Sequence, residues 1–207
     1  MYLPAQFQSP DGAHADALMR AHPLASLVST DDEGFPFVTH LPIHLQDEGV
    51  AQGRFTLLGH VARPNPQWRH LQARPRAVIT FLGPHAYMSP SVYPDLARVP
   101  TWNYLMVQAR GTPRLIADPD WLRGQVDALT RQMEEDRPAP WHVADAPENY
   151  INAQIRGIVG VEIDITDLRG KWKAGQNKAP ADRTGVAKAL GPTHPALADA
   201  ALSTGNS

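Results

Sequence analysis

The sequence predicts a mainly β protein with added α-helices, built as an antiparallel barrel whose helices pack on the outside. Extended runs follow one another over the first half of the chain and are joined by short links rich in turn-forming residues. Helical segments then precede one last extended run at Ile158–Ile165. A parallel α/β sheet would instead alternate strands and helices throughout, so the order of elements favours the antiparallel barrel.

The first elements are a helix and a hairpin. Asp11–Ala21 has apolar residues near helical spacing, behind the start signal Ser9-Pro10-Asp11. The runs Leu24–Thr30 and Pro36–Leu45 flank the acidic turn Asp31–Gly34. Extended runs around a turn that contains glycine predict a β-hairpin.

The middle of the chain predicts three more strands and a short helix. Arg54–Val61 is followed by a turn and by a helix over Gln67–Leu71. Arg76–Gly83 forms a strongly apolar strand, which Ala86–Val92 could extend after Gly83-Pro84. Tyr104–Ile116 reads as a further strand in which Gly111 and Pro113 are irregularities. These runs make five or six strands, depending on whether Ala86–Val92 extends the fourth strand or stands alone, and the closing strand Ile158–Ile165 follows later.

The second half predicts helices before the closing strand. Trp121–Glu135 has an amphipathic stripe after Asp118-Pro119-Asp120, and a second helix covers Pro147–Gln154. Beyond Leu168 the composition indicates a basic loop at Lys171–Lys178, a short alanine-rich helix and a disordered tail. We therefore expect a barrel domain over residues 1–170 and a C-terminal segment over 171–207.

Charge and cysteine content narrow the function classes. The formal net charge of -2 provides no overall positive field for a nucleic acid, so DNA binding would need a local basic patch. The absence of cysteine excludes disulfides and thiolate metal sites. The first residues lack a signal-peptide pattern and no run is long enough for a membrane span, so we expect a soluble cytoplasmic protein.

The segment Leu57–Trp68 is the most informative for chemistry. A strand that delivers His60, Arg63 and Asn65 into a turn before a helix can gather a guanidinium, an amide and backbone N–H groups around a phosphate. The alternative is a tight turn with a solvent-exposed arginine, because arginine beside proline is common in such turns. Spacing alone leaves both interpretations open.

Two further segments could contact a ring or an anion. Val99–Tyr104 places Trp102 and Tyr104 on either side of Asn103, which suits a flat aromatic ligand but is equally typical of a core. The basic segment Lys171–Lys178 could reach a phosphate or a carboxylate, although a solvated loop is the simpler interpretation of its composition.

The histidines do not predict a metal site. His40 and His44 are four residues apart, but they lie in a predicted strand interrupted by Pro42, so the geometry of a chelating helical pair is missing. The sequence also contains no Gly-x-Ser-x-Gly elbow, P-loop or glycine-rich dinucleotide loop. We expect no metal.

Several linked motifs together resemble a known family. They are Thr39–Pro42, Gly59–Trp68, Phe81–Tyr93, Val99–Tyr104 and Gln176–Lys178. In this order they resemble the PaiB-type "FMN-binding negative transcriptional regulator" family, and the resemblance extends from Met1 to about Leu190. It implies a split β-barrel of the FMN-binding type, related to pyridoxamine-phosphate oxidase, that forms a homodimer with FMN in the groove between two barrels.

The resemblance also implies roles for residues. His60, Arg63 and Asn65 would hold the phosphate. The residues that would lie near the ring or the ribityl chain are Thr39, His40 and Thr80.

A second set would come from the partner subunit: Trp102, Asn103 and the loop residues Lys173, Gln176 and Asn177. The chain departs from the family pattern at Ala174-Gly175, where relatives often carry serine.

The sequence and the resemblance leave three candidate functions from different classes. The family name implies a repressor, but the sequence shows no helix-turn-helix and the predicted helix ends in Glu134-Glu135-Asp136, which would repel a phosphate backbone. A flavin-dependent oxidoreductase acting on a small molecule is the second, although no proton donor can be read from the sequence. A haem-handling or flavin-storage module is the third, because a fold does not settle function.

Overall fold

The computed structural model describes residues 1–46, 54–93 and 98–203 and contains a seven-stranded sheet in the order β2-β1-β5-β6-β7-β4-β3. The strands are β1 Leu24–Thr30, β2 Pro36–Pro42, β3 His44–Leu45, β4 Thr56–Ala62, β5 Ala77–Met88, β6 Thr101–Ile116 and β7 Ile158–Lys173. The α-helices among the described residues are α1 Gly12–Ala21, α2 Gln67–Ala73, α3 Pro119–Glu134, α4 Glu148–Arg156, α5 Pro180–Leu190 and α6 Pro195–Leu202. The predicted antiparallel β architecture with added helices is confirmed.

The hairpin of β1 and β2 is built by its turn. The carboxylate of Asp31 accepts hydrogen bonds from the backbone N–H groups of Glu33, at 3.0 Å, and Phe35, at 2.8 Å. Gly34 has φ +89°, a left-handed conformation that favours glycine. This side-chain-to-backbone bonding is the usual reason for aspartate in turns, and it sets the register from Leu24 opposite Pro42 onward.

One face of strands β2, β1 and β5 is open. Ser26 on β1 lies opposite His40 on β2 and opposite Thr80 on β5. Residues directly opposite one another project to the same face of a sheet, so these three side chains form a row across three strands. The other face is buried through residues such as Leu27 and Ile79, which are fully buried.

Helix α3 begins and packs as its sequence predicts. The side chain of Asp118 accepts a hydrogen bond from the N–H of Trp121 at 2.8 Å, and Pro119 occupies the first turn. Leu122 is buried in a cluster with Ile151 and Ile155 of α4. The apolar stripe therefore has a helix partner as well as the sheet.

One predicted strand is longer than expected and another is divided, while the extension of the fourth strand is confirmed as far as Met88. β5 runs through Gly83-Pro84 to Met88, and β6 begins at Thr101 and passes Gly111 without interruption. The predicted run Pro36–Leu45 is divided at Ile43, whose N–H donates to Pro23 O at 2.9 Å instead of joining a ladder. The sheet has seven strands, and the sequence predicted six or seven once the closing strand Ile158–Ile165 is included.

The predicted loop after Leu168 is wrong in its first part. β7 continues to Lys173, and Trp172 near its end is buried with 8% of its surface exposed. Burial of this indole explains why the extended backbone persists through a basic segment. Two helices, α5 and α6, follow where one was expected, and residues 204–207 of the predicted disordered tail lie outside the described residues.

The contacts divide the chain into two compact units. Unit 1 comprises residues 1–22, 81–108 and 168–207, and unit 2 comprises residues 23–80 and 109–167. The boundary predicted at residue 170 stays a prediction. None of the helices in the described ranges has the length and apolar content needed to span a membrane.

A pair of glycines tests the packing of β6. A Cβ atom on Gly111 would lie 2.2 Å from the backbone oxygen of Asp164 on β7, whereas a Cβ on Gly124 in α3 would meet nothing within 4 Å. We expect Gly111→Ala to lower the free energy of unfolding by about 2 kcal/mol, because the backbone of β6 or β7 must move to make room for the new methyl group. Gly124→Ala should raise it by about 0.5–1 kcal/mol through helix propensity. Urea denaturation measures both, and equal stabilities of the two variants would contradict the close approach of β6 and β7.

Candidate functional site

In unit 2 the turn between β4 and α2 is organised by Asn65. Its N–H donates to Ala62 O at 2.9 Å, and its side-chain oxygen accepts from the N–H of Gln67, the first residue of α2, at 2.9 Å. Its Nδ2 donates to Thr39 Oγ1 on β2 at 3.0 Å. Asn65 and Thr39, two of the predicted site residues, are thus brought together, and the turn is tied to the hairpin.

Arg63 is held at the junction of α4 and β7. Its Nε donates to Arg156 O at 2.9 Å and its Nη2 to Ile158 O at 3.0 Å, while its backbone N–H donates to Gly157 O at 2.8 Å. Arg156 is the last residue of α4, where a cation is favoured by the helix dipole. The side chain is exposed and these bonds use two of the five guanidinium N–H donors, so Arg63 anchors this junction and keeps capacity to bind an anion.

His60 is directed to α3. Its Nδ1 lies 2.8 Å from Oε1 of Gln125, a buried residue of α3. His44 makes a similar pair, with Nδ1 2.7 Å from Oε1 of Gln132. The side-chain hydrogen bond of His60 runs to Gln125 of α3, and not to Arg63 or Asn65.

The open face of β2, β1 and β5 carries two more of the predicted residues. His40 Nδ1 lies 2.9 Å from Ser26 Oγ, and Thr80 is opposite Ser26 on the other side. His40 is exposed, and Ser26 and Thr80 are half-buried. Three side chains that donate or accept hydrogen bonds therefore follow one another along an accessible surface.

Gln67 is a structural residue of this site that sequence reasoning missed. Its side chain is completely buried, and Nε2 donates to Leu27 O at 2.9 Å, Phe37 O at 3.1 Å and Ser29 Oγ at 3.2 Å. These bonds attach α2 to both strands of the hairpin. The only sequence signal is the Asn-x-Gln spacing at the start of a helix, which predicts a cap and not a buried amide.

In unit 1 Trp102 belongs to an exposed aromatic cluster. Its ring centroid lies 5.9 Å from that of Tyr87, in an edge arrangement, and 6.4 Å from that of His85. Trp102 and Tyr87 each expose 54% of their surface. Large exposed aromatic surface on neighbouring strands is typical of a ligand or protein contact.

The remaining predicted residues are arranged around the end of β7. Buried Asn103 donates from Nδ2 to Ala174 O at 3.3 Å. Lys173 donates from Nζ to Thr101 Oγ1 at 2.6 Å and to the carbonyl of Trp102. Gln176 accepts from the N–H of Ala174 at 3.0 Å. Asn103 and Gln176 thus both bond the backbone of Ala174, and Lys173 bonds the neighbouring segment at Thr101 and Trp102.

A cavity of about 520 Å³ adjoins these residues. It is lined by Phe7, Arg98, Val99, Thr101, Asn103, Lys173, Gly175, Asn177 and Lys178. Burial lowers the pKa of the Lys173 ammonium, and the like charges of Lys171 and Lys178 lower it further. Lys178 belongs to the basic segment Lys171–Lys178 that the sequence singled out, whereas Arg98 was not among the predicted residues and no pattern in the sequence connects it with Lys173.

The described residues contain no group of three or more His, Asp or Glu side chains placed to hold a metal ion. The histidines that might have suggested one, His40 and His44, have separate partners in Ser26 and Gln132.

A family model described as "Putative FMN-binding domain" matches residues 1–167. The chain is 29% identical over 190 residues to "Protease synthase and sporulation protein PAI 2" of Bacillus subtilis, covering 92% of this chain and 89% of that protein. It is 36% identical to an uncharacterised protein of Aspergillus fumigatus over 73% of this chain and 72% of that one.

Among solved structures, the FAD and haem binding protein of Mycobacterium smegmatis is similar, with a TM-score of 0.61 at 20% identity, covering 80% of this chain and 73% of that one. Similarity at this identity shows the fold alone. The fold is the split barrel of the FMN-binding class, as the sequence predicted.

The Asn65 network makes a testable prediction for stability. Asn65→Ala removes the bond to Thr39 and the bond to the N–H of Gln67 at the start of α2, and should lower the free energy of unfolding by about 1–2 kcal/mol. Thr39→Val removes one partner only, so its effect should be smaller and the double variant should cost less than the sum of the two. Urea unfolding of the four proteins measures this coupling, and strictly additive effects would show that the Asn65–Thr39 bond contributes nothing.

Proposed function

Because the chain belongs to the PaiB-type family of FMN-binding proteins, we propose that it is a flavoprotein that binds FMN in preference to FAD or riboflavin. The observation that carries the proposal is the family match over residues 1–167, which includes the β4–α2 turn and the open row on β2, β1 and β5. Binding of a flavin follows from the family, and the choice of FMN among flavins is our proposal.

The residues fit such a ligand. Ser26, His40 and Thr80 offer hydroxyl and imidazole groups along an accessible sheet face, where the ring edge or the ribityl hydroxyls need partners. Arg63 and Asn65 would hold the phosphate, in agreement with the resemblance. Thr39 would act by fixing Asn65, and His60 would orient α3 through Gln125. When bound, FMN supplies the electron exchange, and the chain supplies binding and orientation.

We further propose a homodimer in the cytoplasm. Trp102 and Tyr87 expose large rings that a second copy would cover. The partner subunit would contribute Trp102, Asn103, Lys173, Gln176 and Asn177 to the cofactor, as the resemblance implies. The network that connects Asn103, Ala174 and Gln176 supports this because it holds the segment in one conformation.

For the chemistry we favour oxidation or reduction of a small molecule over direct repression. Basic side chains on α3 are paired with acids: Arg123 with Glu148, and Arg131 with Asp127. Arg137, just beyond the helix, pairs with Glu134. Cations that are neutralised in this way give little attraction for a DNA backbone. Repression remains the second candidate, and haem handling a third, since a similar solved structure is described as binding haem.

Replacing Arg63 tests the phosphate assignment. Arg63→Ala should weaken FMN binding at least tenfold, since a charge-assisted contact contributes about 1.5–3 kcal/mol. Riboflavin, which lacks the phosphate, should bind both proteins equally. Arg69→Ala, which removes another arginine of the same region, is the matched control. Fluorescence titration measures the affinities. Equal losses for FMN and riboflavin would assign Arg63 to the α4–β7 junction alone.

One set of measurements separates the three functions. We expect the purified protein to show flavin absorbance with no haem Soret band, and its flavin to be reduced by a nicotinamide cofactor or dithionite and reoxidised by an added acceptor. In a mobility-shift assay at low salt we expect no sequence-preferring shift of DNA from its own promoter. A sequence-preferring, salt-sensitive shift would favour repression, and a Soret band would favour haem handling.

A further inference from the structure

A separate cavity, of about 500 Å³, lies within unit 2 at the end of β1 that leads into the hairpin turn. Val28 on β1 and Val78 on β5 lie opposite one another and form part of its wall. They stand two residues along their strands from Ser26 and Thr80, so they project from the same open face of the sheet. The cavity therefore opens on an accessible surface, and it is lined by none of Ser26, His40 and Thr80.

Arg76 brings a cation without a protein partner to this cavity. It lies just before β5, is exposed and forms part of the wall. Among residues 1–46, 54–93 and 98–203, no side chain or carbonyl forms a hydrogen bond or an ion pair with its guanidinium. Arg74, by contrast, donates from Nη2 to Asp32 at 2.6 Å and from Nε to Thr30 O at 3.1 Å. The five N–H donors of Arg76 can bind an anion without first giving up a bond within the fold.

Arg110 on β6 is another cation of the wall. Its Nε lies 4.0 Å from Oδ2 of Asp167 on β7, a separation too long for a hydrogen bond. The carboxylate offsets part of the charge of Arg110 and leaves its N–H donors able to bind a ligand. The described residues of the wall include no acid, so two guanidiniums beside one carboxylate leave a charge of about +1 at the cavity.

The wall also supplies hydroxyl and apolar groups. Thr112 is exposed two residues from Arg110 and projects from the same face of β6. Thr166 Oγ1 donates to Arg110 O at 3.3 Å, which connects β7 to β6 beside the cavity. Val28 and Val78 are half-buried, and an apolar ligand resting on them would remove their remaining surface from water. The cavity thus combines guanidinium and hydroxyl donors with an apolar surface.

We propose that this cavity binds a small organic acid, with its carboxylate on Arg76 and Arg110 and its apolar body on Val28 and Val78. A planar carboxylate matches the planar fork of a guanidinium with two parallel hydrogen bonds. A net charge of about +1 suits a monoanion better than a phosphate dianion, whose second charge would have no partner. The site goes beyond the proposed function, because it uses none of the residues assigned to FMN.

The test is isothermal titration of the full-length protein, in flavin-free and FMN-loaded form, with benzoate and with hexanoate. At least one of these acids should bind, and its neutral amide, benzamide or hexanamide, should bind at least tenfold more weakly. Arg76→Gln and Arg110→Gln should each weaken binding of the acid at least tenfold. Arg54→Gln, which removes an exposed arginine of unit 2 outside the wall, is the matched control and should bind as the original protein does. Circular dichroism melting checks that each variant is folded.

The outcomes separate this site from the flavin site. The acid should bind with the same affinity whether or not FMN is present, and competition between the two would overturn a separate cavity. Acid binding that depends on Arg76 in a protein that binds no flavin would overturn the proposed function and support this site. Phenyl phosphate that binds more tightly than benzoate would refute the carboxylate assignment. The site itself is refuted if neither acid binds the original protein, or if both arginine variants bind the acid as the original protein does.

Discussion

The buried amide of Gln67 is the contact on which the cofactor-facing part of unit 2 depends. Its Nε2 donates to the carbonyls of Leu27 and Phe37, so one side chain attaches α2 to both strands of the hairpin. An amide excluded from water is costly without partners, so the helix is held where those carbonyls are. Asn65 then bonds the start of this helix and Thr39 on β2. The turn that carries Arg63 is therefore placed by hydrogen bonds buried behind it.

Cationic side chains are used in two different ways. The arginines of α3 are paired with acids and stabilise the fold, whereas Arg63 is bonded to carbonyls at the end of α4 and keeps N–H donors for an anion. Lys173 is bonded to neutral oxygens beside other cations, and burial lowers its pKa. A lysine whose pKa is lower in the folded state destabilises that state at neutral pH, and the penalty disappears as pH rises through the folded-state pKa toward the usual value. Charge retained at such a cost is typical of a binding site.

Family membership and geometry answer different questions about this protein. The family match supports a flavin, because it extends over most of the chain. The geometry identifies which polar groups are accessible: the row of His40, Ser26 and Thr80 in unit 2 and the cationic cavity in unit 1. A split barrel serves many ligands, so the reaction must be inferred from such groups and not from the fold.

The sequence by itself determined the elements whose signals are local. Asp11 and Asp118 cap the helices they precede, and Asp31 and Gly34 build the predicted hairpin turn, because these effects act within about four residues. The motifs around Arg63 also identified the family. Only the tertiary structure decided that β7 continues to Lys173, that His60 bonds Gln125, and that Arg98 and Lys178 join Lys173 at one cavity. Those outcomes depend on which distant strands and helices pack together. Patterns among neighbouring residues do not determine that packing.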